Sequence, residues 1–313
     1  MQYTLRGLHH VTATVSEAQP DLDFYSGLLG LRLVKKTVNF DNHNVYHFYY
    51  GTEKGAPGTI MTTFPYKHIG VKVGTKGTGQ ISHTSFSVPQ GCIDNWQRRL
   101  GFFHVPFTYF ERFGERGLAF VDPSGLNIEL IESKDNRPPW TQSSIPQTCA
   151  IRGIHSLTIP IALPQKTIQF LSSLFNIHVI EQEGDRIRLG IDGGGAGKYL
   201  DILDAAGMPQ GINGLGTIHH VALGVETARE QLLIRQAIIK AGIKITEVRD
   251  RKYFQSIYFR EPGGVLLEIA TLPPGFLIDE PITSLGKELK LPPWEEQNRK
   301  VIEQRLAPIH VPV

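Results

Sequence analysis

Two histidine doublets, His9-His10 and His219-His220, lie near opposite ends of the chain within similar apolar segments, GLHHVTATV at 7–15 and GTIHHVALGV at 216–225. An acid, Glu268, sits in a third such segment, FREPGGVLLEIAT at 259–271. Two neutral imidazoles and one carboxylate on one face of an octahedron are the ligands of non-haem Fe(II) oxygenases, and the open face takes substrate and dioxygen. Mn(II) accepts the same set. A lone histidine at a strand start is ordinarily a hydrogen-bonded core residue, and His43, His47, His68, His104, His178 and His310 need no other reading. Two doublets at matching positions with an acid in reach are different: they select His10, His220 and Glu268 as metal ligands.

The elements that must position them form a fourfold repeat. The opening signature recurs as GQISHTSFSV at 79–88 and GIHSLTIPI at 153–161, each followed, like the doublet segments, by a stretch of helical periodicity: 21–29, 93–100, 166–175 and 229–242. A strand, turn and strand close each unit, most clearly in FVDPSGLNIELIE at 120–132 and its counterpart at 259–271, which align Glu129 with Glu268. The looser closing segments put Thr62 and Asp201 at that position. Each unit therefore reads as βαβββ. One such unit leaves a sheet face bare, so the expected fold is α+β: four units paired into two half-open β-barrels, with a C-terminal arm carrying a helix near 294–305. The expected organisation is 1–133 (units at about 7–65 and 79–133), a linker at 134–150, 151–272 (units at about 153–205 and 216–272) and an arm at 273–313. The metal site then lies between the first and last units. Units two and three hold a counterpart set, His83, Glu129 and Asp201, but Ser156 stands where His10 does in unit one, and Ala119 where Tyr258 does in unit four, so this set reads as a decayed copy.

Composition bounds the partners. The 313 residues carry 32 Lys+Arg against 30 Asp+Glu, a net charge of +2, which offers no field for nucleic acid or an acidic membrane surface. No segment reads as a signal peptide or a membrane span. Cys92 and Cys149 cannot make a disulfide framework, and one optional bridge is not needed at this size; each reads as a small buried or surface residue, and a reducing cytoplasm is the matching compartment. Long sheet edges and the arm leave room for a homo-oligomer.

LHHVT at the start, IHHVA in the last unit, GGVLLEIAT at its close, and the stretches VYHFYYGTEKGAPGTIMTTFP and DRKYFQSIYFREPGG together resemble the ring-cleaving dioxygenases of the vicinal oxygen chelate superfamily, which also holds glyoxalase and bleomycin resistance proteins. Within it they are similar to the hydroquinone 1,2-dioxygenase group, including chlorohydroquinone dioxygenases and quinone-responsive "glyoxalase family" proteins. The resemblance spans about residues 1–290. It implies an Fe(II)-dependent, extradiol-type ring-cleaving dioxygenase acting with O2 on a small aromatic substrate, a hydroquinone or related dihydroxy ring. It places the metal on His10, His220 and Glu268, a substrate-binding role on Thr12, and catalytic roles on His9, His219, Arg251 and Tyr258. His9 or His219 would move the phenolic proton, and Arg251 and Tyr258 would stabilise developing charge. Strict strand alternation sends His9 and His10 to opposite faces, so a role for His9 requires a bulge. The plainer reading of Arg251 is an ion pair with Asp250 or Glu261, and that of Tyr258 a buried strand aromatic. The alternatives are a glyoxalase-like isomerase or lyase acting on thiol adducts, and a non-catalytic protein that binds aromatic compounds.

Overall fold

The computed structural model describes residues 2–312. The first unit runs β1 (Leu8–Val15), α1 (Ala18–Leu22), β2 (Arg32–Asn39), β3 (Asn42–Gly51) and β4 (Ile60–Pro65). The second runs β5 (His83–Val88), α2 (Ile93–Phe102), β6 (Phe107–Arg112), β7 (Glu115–Val121) and β8 (Asn127–Glu132). The third comprises β9 (Gly153–Ile161), α3 (Pro164–Leu174), β10 (Ile177–Glu183), β11 (Arg186–Ile191) and β12 (Tyr199–Asp204). The fourth comprises β13 (Thr217–Val225), α4 (Ala228–Lys240), β14 (Arg249–Asp250), β15 (Gln255–Arg260) and β16 (Leu266–Thr271).

The first unit pairs with the fourth in a curled eight-stranded sheet of order β14-β15-β16-β13-β1-β4-β3-β2, and the second with the third in β10-β11-β12-β9-β5-β8-β7-β6. In every unit the first strand lies parallel to the last, while the first strands of paired units meet antiparallel at the sheet centre. This is the α+β fold of two half-open barrels. The helices follow their sequence signals. In α2, Ile93, Trp96 and Leu100 form the buried stripe. Helix α4 starts at a capping box, in which Thr227 accepts from the Glu230 N–H and the Glu230 side chain accepts from the Thr227 N–H. The first helical segment departs from expectation: after α1 the chain widens into a π-turn at Asp23–Leu28 that buries Phe24, Tyr25 and Leu28. The connectors between units one and two and between three and four run side by side, with Val73 bridging Leu215 and Thr75 bridging Ile212. Gly74 and Gly214 permit this approach, since a Cβ on Gly74 would come within 2.8 Å of the Gly214 nitrogen.

The linker at 134–150 forms no helix or strand but is firmly tied. Arg137 donates to the carbonyls of Gly58 at 2.8 Å and Ile154 at 2.7 Å, clamping one sheet to the other. The optional bridge between Cys92 and Cys149 is present. Both are buried, their Cα atoms are 5.4 Å apart, and they form a disulfide that fastens the end of the linker to the start of α2. The two residues are 57 positions apart, a proximity invisible before the unit pairing is known. With the bridge formed, the cysteines no longer argue for a reducing compartment. Among the described residues no helix is long and apolar enough to cross a membrane.

The arm lies over the first sheet. Phe276 packs on Tyr49 and Tyr253, each at 5.0 Å between ring centroids, and the buried Lys35 ammonium donates to Asp279 at 2.7 Å and to Glu280. The helix expected at 294–305 is tight 3-10 helix over Pro293–Asn298 and becomes α-helix, α5, only over Arg299–Arg305.

Candidate metal centre

Three adjacent strands carry the ligand candidates. Ala222 of β13 lies opposite His10 of β1 on one side and Glu268 of β16 on the other, and His220 is two residues from Ala222 on the same face. The small Ala222 side chain leaves the space into which the three larger ones converge. Glu268 Oε2 is 2.9 Å from His220 Nε2 and 3.3 Å from His10 Nε2, and the ligand atoms of all three lie within 4.8 Å of one another. Ser256 Oγ donates to the other carboxylate oxygen.

The register explains the doublets. Between Leu8 and His10 the pairing of β1 with β13 slips by one residue at His9, and it slips again between Thr12 and Ala13, opposite His219. Each doublet therefore opens on a β-bulge that re-aims its first histidine, the condition that alternation demands. In each case the adjacent rings meet through Nδ1: His9 and His10 at 2.9 Å, His219 and His220 at 2.7 Å. The Nε2 atoms of His10 and His220 are thus left facing Glu268.

The electrostatics suit a cation. Burial works against the Glu268 charge but is outweighed by His10 and His220, so the carboxyl is held well below its usual range. Burial first, and the neighbouring histidine second, drive His9 and His219 down to about 3, and burial lowers His220. Although close to two imidazole nitrogens, Glu268 Oε2 accepts no hydrogen bond and is fully buried. A buried carboxylate oxygen converging with two imidazole nitrogens, without a donor of its own, fits a divalent ion better than a self-contained polar cluster.

The site opens on a cavity of about 470 Å³ whose walls include His10, Thr12, His219, His220, Arg251 and Tyr258. His9 is not among the lining residues; it lies behind His10, packed against Phe254 at 5.0 Å. Arg251 pairs with neither Asp250 nor Glu261. Its guanidinium reaches across the mouth to Asp41 of the β2–β3 turn at 3.0 Å and donates through Nε to the Tyr258 hydroxyl at 3.2 Å. Tyr258 lies opposite Glu268 in the sheet, as Ala119 lies opposite Glu129 in the other sheet. Burial and the Glu268 charge push the Tyr258 phenol up, so it remains a donor.

Residues outside the repeat signatures also reach the cavity, notably His47, Tyr49 and Asp41. His47 Nε2 is 3.0 Å from Thr62 Oγ1, which donates to Thr12 Oγ1 at 2.9 Å. The available signal was the alternation in VYHFYYG, which puts His47 and Tyr49 on one strand face, but which face is set only by the pairing of Tyr49 with Thr62.

The counterpart set in the second sheet is differently arranged. Arg112 and Ser85 donate to Glu129; Arg188 donates to both oxygens of Asp201, at 2.9 and 3.0 Å, and to Glu115 at 2.7 Å. His155 joins Glu115 at 3.0 Å, and His83 bonds Ser82. Guanidinium groups supply the positive charge here, and among the described residues only His10, His220 and Glu268 have metal-ligand geometry.

The chain is 42% identical over 306 residues, 97% of each chain, to MhqO of Bacillus subtilis (strain 168), provisionally named a ring-cleaving dioxygenase. It is 38% identical over 302 residues, 93% of each, to the chlorohydroquinone/hydroquinone 1,2-dioxygenase of Sphingobium indicum. The crystal structure of a provisionally named dioxygenase from Bacillus subtilis subsp. subtilis str. 168 superposes with a TM-score of 0.95 at 41% identity, covering 99% of both chains. The Glyoxalase/Bleomycin resistance protein/Dioxygenase superfamily model matches residues 7–130, the first two units, and 153–269, the last two, and the chain belongs to that superfamily.

Proposed function

We propose that this protein is an iron(II)-dependent dioxygenase that opens the ring of a hydroquinone beside a hydroxyl-bearing carbon, with manganese(II) the alternative metal. The observation that carries the reading is the convergence of His10, His220 and the unsatisfied Glu268 Oε2, with both histidines lining a cavity walled by aromatic rings. The similarity to a chlorohydroquinone/hydroquinone 1,2-dioxygenase supports the substrate class. Thr62, at the fourth repeat position, where an isomerase-type site would have a second carboxylate, is fully buried with its hydroxyl engaged by His47 and Thr12, which disfavours that alternative.

A bound metal supplies Lewis acidity at a substrate oxygen and an electron path between an electron-rich ring and dioxygen. The chain's own groups do the rest. His219, on the cavity wall, orients His220 through the 2.7 Å Nδ1 contact, and its ring stays neutral beside the docked hydroxyl. Arg251 and Tyr258, bonded to each other beside His220, donate toward negative charge that develops on oxygen. Phe254 and Phe64 flank the ring and exclude water. His9 holds His10 from behind, and Thr12 orders the polar wall.

The test is oxygen uptake. Protein purified anaerobically and reconstituted with Fe(II) should consume oxygen on addition of hydroquinone or methylhydroquinone, with loss of aromatic absorbance. No uptake with any hydroquinone or catechol, at stoichiometric iron, overturns the reading.

A further inference from the structure

The ligand triad accounts for one oxygen of a dihydroxy ring and leaves the other without a partner. The wall built by β3 holds two polar groups with no assigned task. His47 and Tyr49 are two residues apart on that strand, so both face the cavity. Their rings lie 4.0 Å apart between centroids; Phe64 flanks His47 at 4.3 Å, and Phe276 of the arm braces Tyr49 at 5.0 Å. Both side chains are therefore held in place before any ligand arrives.

Their hydrogen-bonding capacity is unspent. Because the Thr62 hydroxyl donates to Thr12, its oxygen receives the Nε2–H of His47, and this tautomer leaves His47 Nδ1 as an acceptor. Burial holds the His47 ring well below the usual imidazole range, which keeps that lone pair free. Among the described residues His47 Nδ1 makes no hydrogen bond to protein, and neither does the Tyr49 hydroxyl, although Tyr49 is only 2% exposed. Tyr49 lines the cavity, so its unpaired hydroxyl is open there to a ligand or water.

Position decides which ligand atom they meet. β3 is separated from β1, the strand of His10, by β4, so the two backbones are roughly 10 Å apart, two strand spacings. A hydroxyl adjacent to the docked one stays beside the triad, whereas a hydroxyl across the ring is carried toward β3. We propose that His47 and Tyr49 form a second anchor that hydrogen-bonds the substrate oxygen remote from the ligand triad, selecting para-dihydroxy rings over ortho-dihydroxy ones. This rests on the ring-cleaving reading above and names the residues that set its substrate class. They are positioning residues for the ring.

Anaerobic calorimetry on the iron-loaded protein tests it, with hydroquinone, catechol and phenol as ligands, alongside kcat/KM for the two diols. Tyr49→Phe removes one oxygen and keeps the packing on Phe276; His47→Phe keeps the ring stack. Each variant should weaken hydroquinone binding by roughly 3- to 10-fold, the span of one net hydrogen bond, while phenol, which lacks the second hydroxyl, changes less than about 2-fold. The preference for hydroquinone over catechol in kcat/KM should shrink in parallel. Equal losses for hydroquinone and phenol, or no loss for hydroquinone, overturn the anchor and leave the ring-cleaving reading standing. A wild-type protein that binds and cleaves no dihydroxybenzene overturns both. Tyr49→Phe alone decides the matter should His47→Phe fail to fold.

Discussion

His9 meets His10 through Nδ1, 2.9 Å from ring to ring, and the bulge at His9 is what brings two successive strand residues to the same side. The same contact recurs at His219 and His220, so a repeated backbone irregularity orients both imidazole ligand candidates. Histidine ligands generally owe their orientation to a bond at the second ring nitrogen, and losing that bond weakens metal affinity by about 10- to 100-fold. His9→Phe, which retains the contact with Phe254, should lower metal affinity by such a factor when measured by competition with a calibrated chelator. A variant that binds metal as tightly as wild type but turns over slowly would instead return His9 to the proton-transfer role.

The buried carboxyl of Asp21 produces a pH dependence distant from the cavity. It accepts from Tyr50 at 2.7 Å and Thr63 at 2.6 Å, and burial, with the nearby Asp122, pushes it up from 3.8 to about 8. The folded state therefore holds this proton more tightly than the unfolded chain. The stabilisation is complete below about pH 4 and is lost as the pH rises through about 8, at up to about 1.4 kcal/mol per unit. Asp122, pushed up to about 6 mainly by burial, acts with the same sign over a narrower window. Urea denaturation of wild type should show stability falling between pH 5 and 8. In Asp21→Asn the slope should flatten. An identical slope in both proteins would show that Asp21 titrates normally.

Much of the fold was legible because it is repeated. Four copies of one strand signature state the unit, and the bare sheet face of a single unit states that units pair. The doublets and Glu268 were visible for the same reason, as departures shared by two copies. His47 and Tyr49 were not, because they belong to an inner strand of one unit and acquire meaning only from the register with Thr62. Asp41 reaches Arg251 across a sheet whose two halves come from opposite ends of the chain, and no local pattern marks it. Cys92 and Cys149 were hidden likewise, since only the folded linker brings them together.

The second sheet shows how the chain stabilises the carboxylates of a ligand set with no metal geometry. Arg112 turns onto Glu129, and the pair is nearly dry, with side chains 13% and 3% exposed. Burial opposes the Glu129 charge, and the guanidinium more than compensates, holding it below the usual range. Removing one member of such a pair costs about 3–5 kcal/mol, because the other charge stays buried alone. Arg112→Met should destabilise the protein by about that amount in urea denaturation, and Arg112→Met with Glu129→Gln should recover most of it. If the double variant is no better than the single, Arg112 matters through packing on Phe110 and not through charge.

Glu268→Gln separates the metal-binding demands of the first site from its stability. The glutamine keeps the side-chain volume and an acceptor for Ser256, but its amide presents N–H donors to the Nε2 atoms of His220 and His10, where the carboxylate presents only lone pairs. A buried charge with one oxygen, Oε2, lacking a hydrogen-bond donor is replaced by a neutral amide whose N–H groups suit the two imidazoles. The metal-free variant should therefore melt at or above metal-free wild type. Metal should then reverse the order: at about 100 times the dissociation constant it adds about 2.7 kcal/mol to a protein that binds it, and wild type should rise while the variant stays near its metal-free value. Anaerobic thermal melts with and without Fe(II) or Mn(II) measure both halves. A variant stabilised by metal as much as wild type would remove Glu268 from the ligand set, and a metal-free variant melting well below wild type would mean that the carboxylate is already satisfied by the histidines themselves.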